Sequence, residues 1–103
     1  MKVLHLNEDP YDSNDIKADY FVTQYTNEGY EGHGTAYSYS VESDTVSQYN
    51  LGHCSCYGPC EAGPTETWTL EKFKELVSSD RVTIGDIEDL NAAKKLLEMI
   101  SEG

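Results

Sequence analysis

Gly32-His33-Gly34-Thr35-Ala36-Tyr37-Ser38-Tyr39-Ser40-Val41 is the stretch from which the fold can be read outward. From Ala36 onward its period is two: Tyr37, Tyr39 and Val41 fall on one face, Ala36, Ser38 and Ser40 on the other. An extended chain throws successive side chains to opposite sides, so this alternation predicts a half-buried strand. Upstream, Asp19-Tyr20-Phe21-Val22-Thr23-Gln24-Tyr25-Thr26 is aromatic and β-branched, the composition of a second strand. Asn27-Glu28-Gly29 supplies the turn between them, and Glu42-Ser43-Asp44-Thr45 a turn on the other side. Val46 to Leu51 then predicts a third strand of an antiparallel meander. Val3, Leu4 and Leu6 form a short apolar candidate for a fourth.

After Leu51 the pattern breaks. Gly52 to Glu66 holds three glycines, two prolines and all three cysteines, and is expected to be an irregular connection. The period then changes. Thr69 is placed to cap a helix, Glu71 falls in its first turn, and Trp68 can staple onto Phe73. This helix should end near Val77, at Ser78-Ser79-Asp80. Thr83, with Asp86 three residues on, predicts the cap of a last helix. Its buried stripe would be Ile87, Leu90, Ala93, Leu97 and Ile100, with Lys94 and Lys95 late enough to suit the helix dipole.

The fold class expected is α+β: an antiparallel sheet of three or four strands with two C-terminal helices packed on one face. Residues 1–103 form a single domain, the sheet over about 1–60 and the helices over about 68–102. At 38% apolar content the core should be thin, its tyrosine rings packing while their hydroxyls reach the surface. No apolar run is long enough for a transmembrane helix, and the first ten residues lack the apolar segment of a secretory signal. A cytoplasmic protein with no membrane association is expected.

Charge is the strongest functional signal. Between Lys17 and Lys72 stand eight carboxylates and no lysine or arginine, in a chain of net charge −12. Surfaces usually intersperse the two signs, and one-sided charge costs stability through repulsion. Direct nucleic-acid binding is disfavoured, because it rests on Lys and Arg neutralising phosphates. A basic protein surface, such as one that ordinarily holds nucleic acid, is the expected partner. The residues expected to meet it are Glu28, Tyr30, Glu31, Glu42 and Asp44, all in or beside turns. Tyrosines at an interface centre set dissociation, and acids at its rim set on-rate and salt dependence. A homo-oligomer is compatible with the same composition.

Cys54, Cys56 and Cys60 are too few and too clustered for a disulfide framework. Compact buried thiols are the expected reading, with no cofactor. Zinc is the alternative, held by Cys54, Cys56 and Cys60 with His53 or His33 as fourth ligand. The missing second ligand pair and the adjacency of His53 and Cys54 count against it. A cysteine nucleophile with His53 or His33 as base is weaker still, since the negative surroundings raise a thiol's pKa. Gly29 to Gly34 lacks the Gly-Lys-Ser/Thr of a phosphate loop, and Glu31 would repel a phosphate. No enzyme is expected.

The tract Leu51 to Glu61, with Trp68-Thr69-Leu70-Glu71 after it, resembles a motif of small bacteriophage and prophage proteins. In those, too, a Tyr-rich hairpin precedes a Leu-Gly-His-Cys-Ser-Cys-Tyr-Gly tract and a helix follows. The resemblance covers roughly the middle half of the chain. It implies a mobile-element origin and a style similar to anti-CRISPR and anti-restriction inhibitors; with the acidic surface, the expected function is inhibition of a host defence protein, a CRISPR effector first among the candidates. It transfers no catalytic residue.

Overall fold

In a computed structural model, which describes residues 2–6, 18–28, 31–54, 58–79 and 87–102, the chain is α+β. Five strands, β1 (Lys2–His5), β2 (Tyr20–Glu28), β3 (Glu31–Ser40), β4 (Thr45–Cys54) and β5 (Gly58–Thr69), form one sheet in chain order. Two helices follow, α1 (Leu70–Ser78) and α2 (Ile87–Glu102).

The β2–β3–β4 meander stands where the alternation puts it, but the sheet differs from expectation at both edges. β1 pairs with β2 in parallel, so the sheet is mixed. Residues 6–19 make the connection, and a parallel pair needs a connection of about a dozen residues. β5 replaces the expected irregular segment with twelve residues of strand. Its prolines are tolerated because β5 is an edge strand, where a missing N–H can face outward. Pro64 is registered against Tyr49, where the β4–β5 pairing shifts twice, and such irregularities absorb residues that a regular ladder would reject.

One face of the sheet carries the core. Val22, Tyr37, Tyr39 and Val46 pack against Phe73 and Val77 of α1 and Ala92, Ala93 and Leu96 of α2. The Phe73 ring lies 5.6 Å from that of Tyr37 and 5.9 Å from that of Trp68, both tilted. The aromatic staple is therefore formed, although Trp68 sits at the end of β5 and α1 begins after it. Thr69 caps α1, its Oγ1 accepting from the Lys72 N–H at 3.2 Å. At the other end Ser79 N–H donates to the Glu75 carbonyl.

Two details of the core depart from the sequence pattern. The buried line of α2 runs through Ala92, Ala93 and Leu96, while Leu90, Leu97 and Ile100 are only partly covered. Two small residues on that line let the helix approach the sheet closely. Lys94 and Lys95 lie before its last turn, and Lys95 pairs with Glu98 at 3.4 Å. Tyr37, in turn, is wholly buried with its hydroxyl, which accepts from Gln48 Nε2 at 3.2 Å. Phe21, Thr23, Ala36 and Ser38, on the sheet's other face, are buried as well. Thr83 and Asp86 lie outside the described residues.

Candidate functional site

The cation-free tract folds into β2–β5. Among the described residues every lysine lies on β1 (Lys2), α1 (Lys72, Lys74) or α2 (Lys94, Lys95). The charge asymmetry of the chain is thus an asymmetry in space, between four hydrogen-bonded strands and the helices packed on them.

The best-defined part of the acidic region is the β3–β4 turn, residues 41–44. The strand stops at Ser40, so Val41 is not on the buried face where the alternation put it; it is 59% exposed. Glu42, Ser43 and Asp44 are exposed beside it. Asp44 has φ 54°, a left-handed conformation that Asp and Asn tolerate better than other non-glycine residues. Its N–H donates to the Ser40 carbonyl at 2.8 Å, and its own carbonyl accepts from the Leu70 N–H at 3.1 Å. Its carboxylate accepts from the Tyr39 hydroxyl at 2.7 Å. Asp44 therefore ties the turn to β3 and to the start of α1, where Glu71 follows.

Asp19 fixes the turn from the other side. Its Oδ2 accepts from the Val41 N–H at 2.7 Å, and its N–H donates to the Tyr39 carbonyl at 2.9 Å. Ala18, Asp19, Ser40, Val41 and Glu42 line an open recess of about 520 Å³. Two carboxylates, Asp19 and Glu42, thus stand beside the exposed Val41. Asp19 and Val41 were not among the expected contact residues. The signal was in the pairing: an antiparallel β2–β3 hairpin that matches Tyr20 to Tyr39 sets Asp19 beside the end of β3.

The same carboxylates act on Tyr39. Its hydrogen bond to Asp44, its burial, and the charges of Asp44 and then Asp19 push its phenol from 10.0 up to about 12. Tyr20, whose ring lies 6.0 Å away, adds a smaller push. A phenol whose folded pKa is raised is held in its protonated form. Its contribution is complete below about pH 10 and is lost as pH rises through the interval from 10 to 12. Unfolding free energies of wild type and Tyr39→Phe should accordingly differ by a constant amount up to about pH 10 and converge above it. Denaturation at a series of pH values measures this, with lysine titration common to both proteins.

The five expected contact residues do not form one patch. Glu42 and Asp44 belong to the β3–β4 turn, whereas Glu28 and Glu31 close the far end of the β2–β3 pair, directly registered against each other. Tyr30 lies outside the described residues. The length of β3 separates the two groups by about 30 Å.

The cysteine tract reaches that far end as well. Cys54 ends β4, registered against Glu31 on one side and Gly58 on the other, and Cys60 is registered against Gly52. Cys56 lies outside the described residues. Among the side chains the structure describes, no three histidine, cysteine or carboxylate groups are arranged to hold a metal; those of His33, His53, Cys54 and Cys60 are not among them. No helix among the described residues is long and apolar enough to cross a membrane. No family model, curated protein or solved structure matches the chain.

Proposed function

We propose that this is a phage-type inhibitor, a binding protein and not an enzyme, that occupies the basic surface of a host nucleic-acid-handling defence protein in the host cytoplasm. The candidate of first choice is a CRISPR effector. One observation supports the reading: the described residues from Ala18 through β5 include acids of β2, β3, β5 and the β3–β4 turn but no lysine or arginine, while the chain's described lysines are confined to β1 and the helices. The repulsion this arrangement stores is relieved when a cationic surface docks, and acids spaced along strands can stand in for a row of phosphates.

The two acidic ends give the proposal a geometry. A partner that engages both must offer basic residues over about 30 Å, as a nucleic-acid groove does. Pull-down from bacterial lysate with mass spectrometry identifies the partner. Its affinity for the protein and for its nucleic acid is then measured in competition at two salt concentrations.

Glu42→Lys alone, and Glu28→Lys with Glu31→Lys, should each slow association and flatten its salt dependence. Glu98→Lys with Glu102→Lys on α2 should change little, since Lys94 and Lys95 already dilute the charge there. Simultaneous binding of protein and nucleic acid, with no mutual loss of affinity, excludes phosphate mimicry and leaves inhibition by allostery. A pull-down that recovers no basic partner overturns the reading altogether.

A further inference from the structure

A groove between β1 and α2 shares no residue with the acidic recess at the β3–β4 turn. Lys2, Val3 and Leu4 line it from the sheet. Lys95, Glu98, Met99 and Glu102 line it from the helix, at the i, i+3, i+4, i+7 spacing that puts four side chains in one stripe. Its volume is about 410 Å³. Val3, 37% exposed, is one of two large apolar side chains that the described residues leave in solvent. Met99 is only partly covered where it packs on the core.

Charge distinguishes this groove from the rest of the surface. The chain carries a net charge of −12, and the described residues from Ala18 through β5 hold no lysine or arginine. Here two lysines face two glutamates, so the lining is neutral. Lys2 Nζ lies 5.7 Å from the centre of the Tyr20 ring and Lys95 Nζ 3.4 Å from Glu98, which holds both cations at the rim. An apolar centre inside a charged rim is the anatomy of a protein interface. Two copies of so acidic a chain repel wherever their acidic faces meet. A neutral face with both signs is where they can touch.

We propose that this groove is a dimer interface, filled by α2 of a second copy across a two-fold axis near Glu98 and Met99. A two-fold contact uses the same patch on both partners, so the patch must complement itself. Lys95 and Glu102 lie equally far on either side of the 98–99 step. Antiparallel α2 stripes crossing there bring Lys95 of each copy opposite Glu102 of the other, and Met99 and Val3 cover each other's apolar surface. Seven lining residues fall well short of the roughly 20–30 a side of a standard interface, so the dimer is weak and forms with rising concentration. The contact is made by side chains and closes on itself, with no place for a third copy.

Sedimentation of the full chain over a range of concentrations tests this. The mass should rise from that of one chain toward that of two. Lys95→Glu and Glu102→Lys, both at exposed positions of α2, should each weaken the dimer by roughly tenfold, since symmetry makes each turn two attractive pairs repulsive. General repulsion alone would make the two act oppositely, because the first adds negative charge and the second removes it. The double variant exchanges the charges, keeps the net charge and should recover wild-type association. A monomer at every concentration, single variants that act in opposite directions, or a double variant that does not recover would overturn the interface. A fatty-acid probe bound stoichiometrically by a chain that stays monomeric would overturn it as well, and assign the groove to a small amphiphile. None of these results depends on the host partner.

Discussion

Phe73→Ala is expected to lower the stability of the protein by about 3–5 kcal/mol, the range for truncating a fully buried phenylalanine. Phe73 is completely buried and stands where three elements meet: Tyr37 of β3 on one side, Trp68 at the end of β5 on the other, and its own helix above. Truncation opens a cavity between rings that cannot all close on it, since Tyr37 is also held through its hydroxyl by Gln48. For a domain with total stability of about 5–15 kcal/mol this is a large fraction. Equilibrium urea denaturation reads it as a fall in midpoint of about 1.5–3 M. Phe73→Leu, which keeps most of the volume, should cost less than about half as much. A Phe73→Ala protein with the wild-type midpoint would mean that α1 does not pack on this face.

Asp44→Ala should cost about 2 kcal/mol although the residue is exposed. About half comes from the left-handed backbone, which alanine adopts at a penalty, and about half from the hydrogen bond that Tyr39 loses. Asp44→Asn keeps the backbone tolerance and an acceptor for Tyr39, and should stay within about 1 kcal/mol of wild type. The pair separates two roles that one residue combines. A charge-reversed Asp44 would perturb the turn as well as the surface, which is why Glu42 is the residue to reverse when binding is measured. If Asp44→Ala and Asp44→Asn melt together, the turn does not depend on this conformation.

Both predictions concern parts of the molecule that were legible to different degrees. The β2–β3–β4 meander could be read because the period of two from Ala36 to Ser40 and the turn residues on either side agree. Thr69, Trp68 and Phe73 could be read because a helix cap has its own local chemistry. β5 could not. Its glycines and prolines argue for a loop when the neighbours are unknown, and only the edge position and the pairing shifts opposite Tyr49 make them compatible with a strand. The parallel pairing of β1 is likewise a property of the connection, invisible in four residues.

The acidic tract was plain in the sequence, but its division into two ends was not. Glu31 and Glu42 are near in the chain, yet one begins a ten-residue strand and the other lies past its end. Asp19, distant in sequence from Val41, is bonded to it. What sets the layout of the acids is the length of β3 and the register of its partners, and neither is encoded at the acidic positions themselves.

The two edges of the sheet carry a further consequence, for solubility. An open edge offers unpaired backbone groups to any other strand, and self-templated growth into fibrils begins there. β5 closes that route with two prolines, a broken register and Glu61 and Glu66 along its length. β1 closes the other by being four residues long and beginning with a lysine. A polypeptide rich in tyrosine and β-branched residues is prone to such pairing, and guarded margins oppose it. In this chain the prolines that obscure β5 to a reader of the sequence are what keep the finished sheet from recruiting a sixth strand.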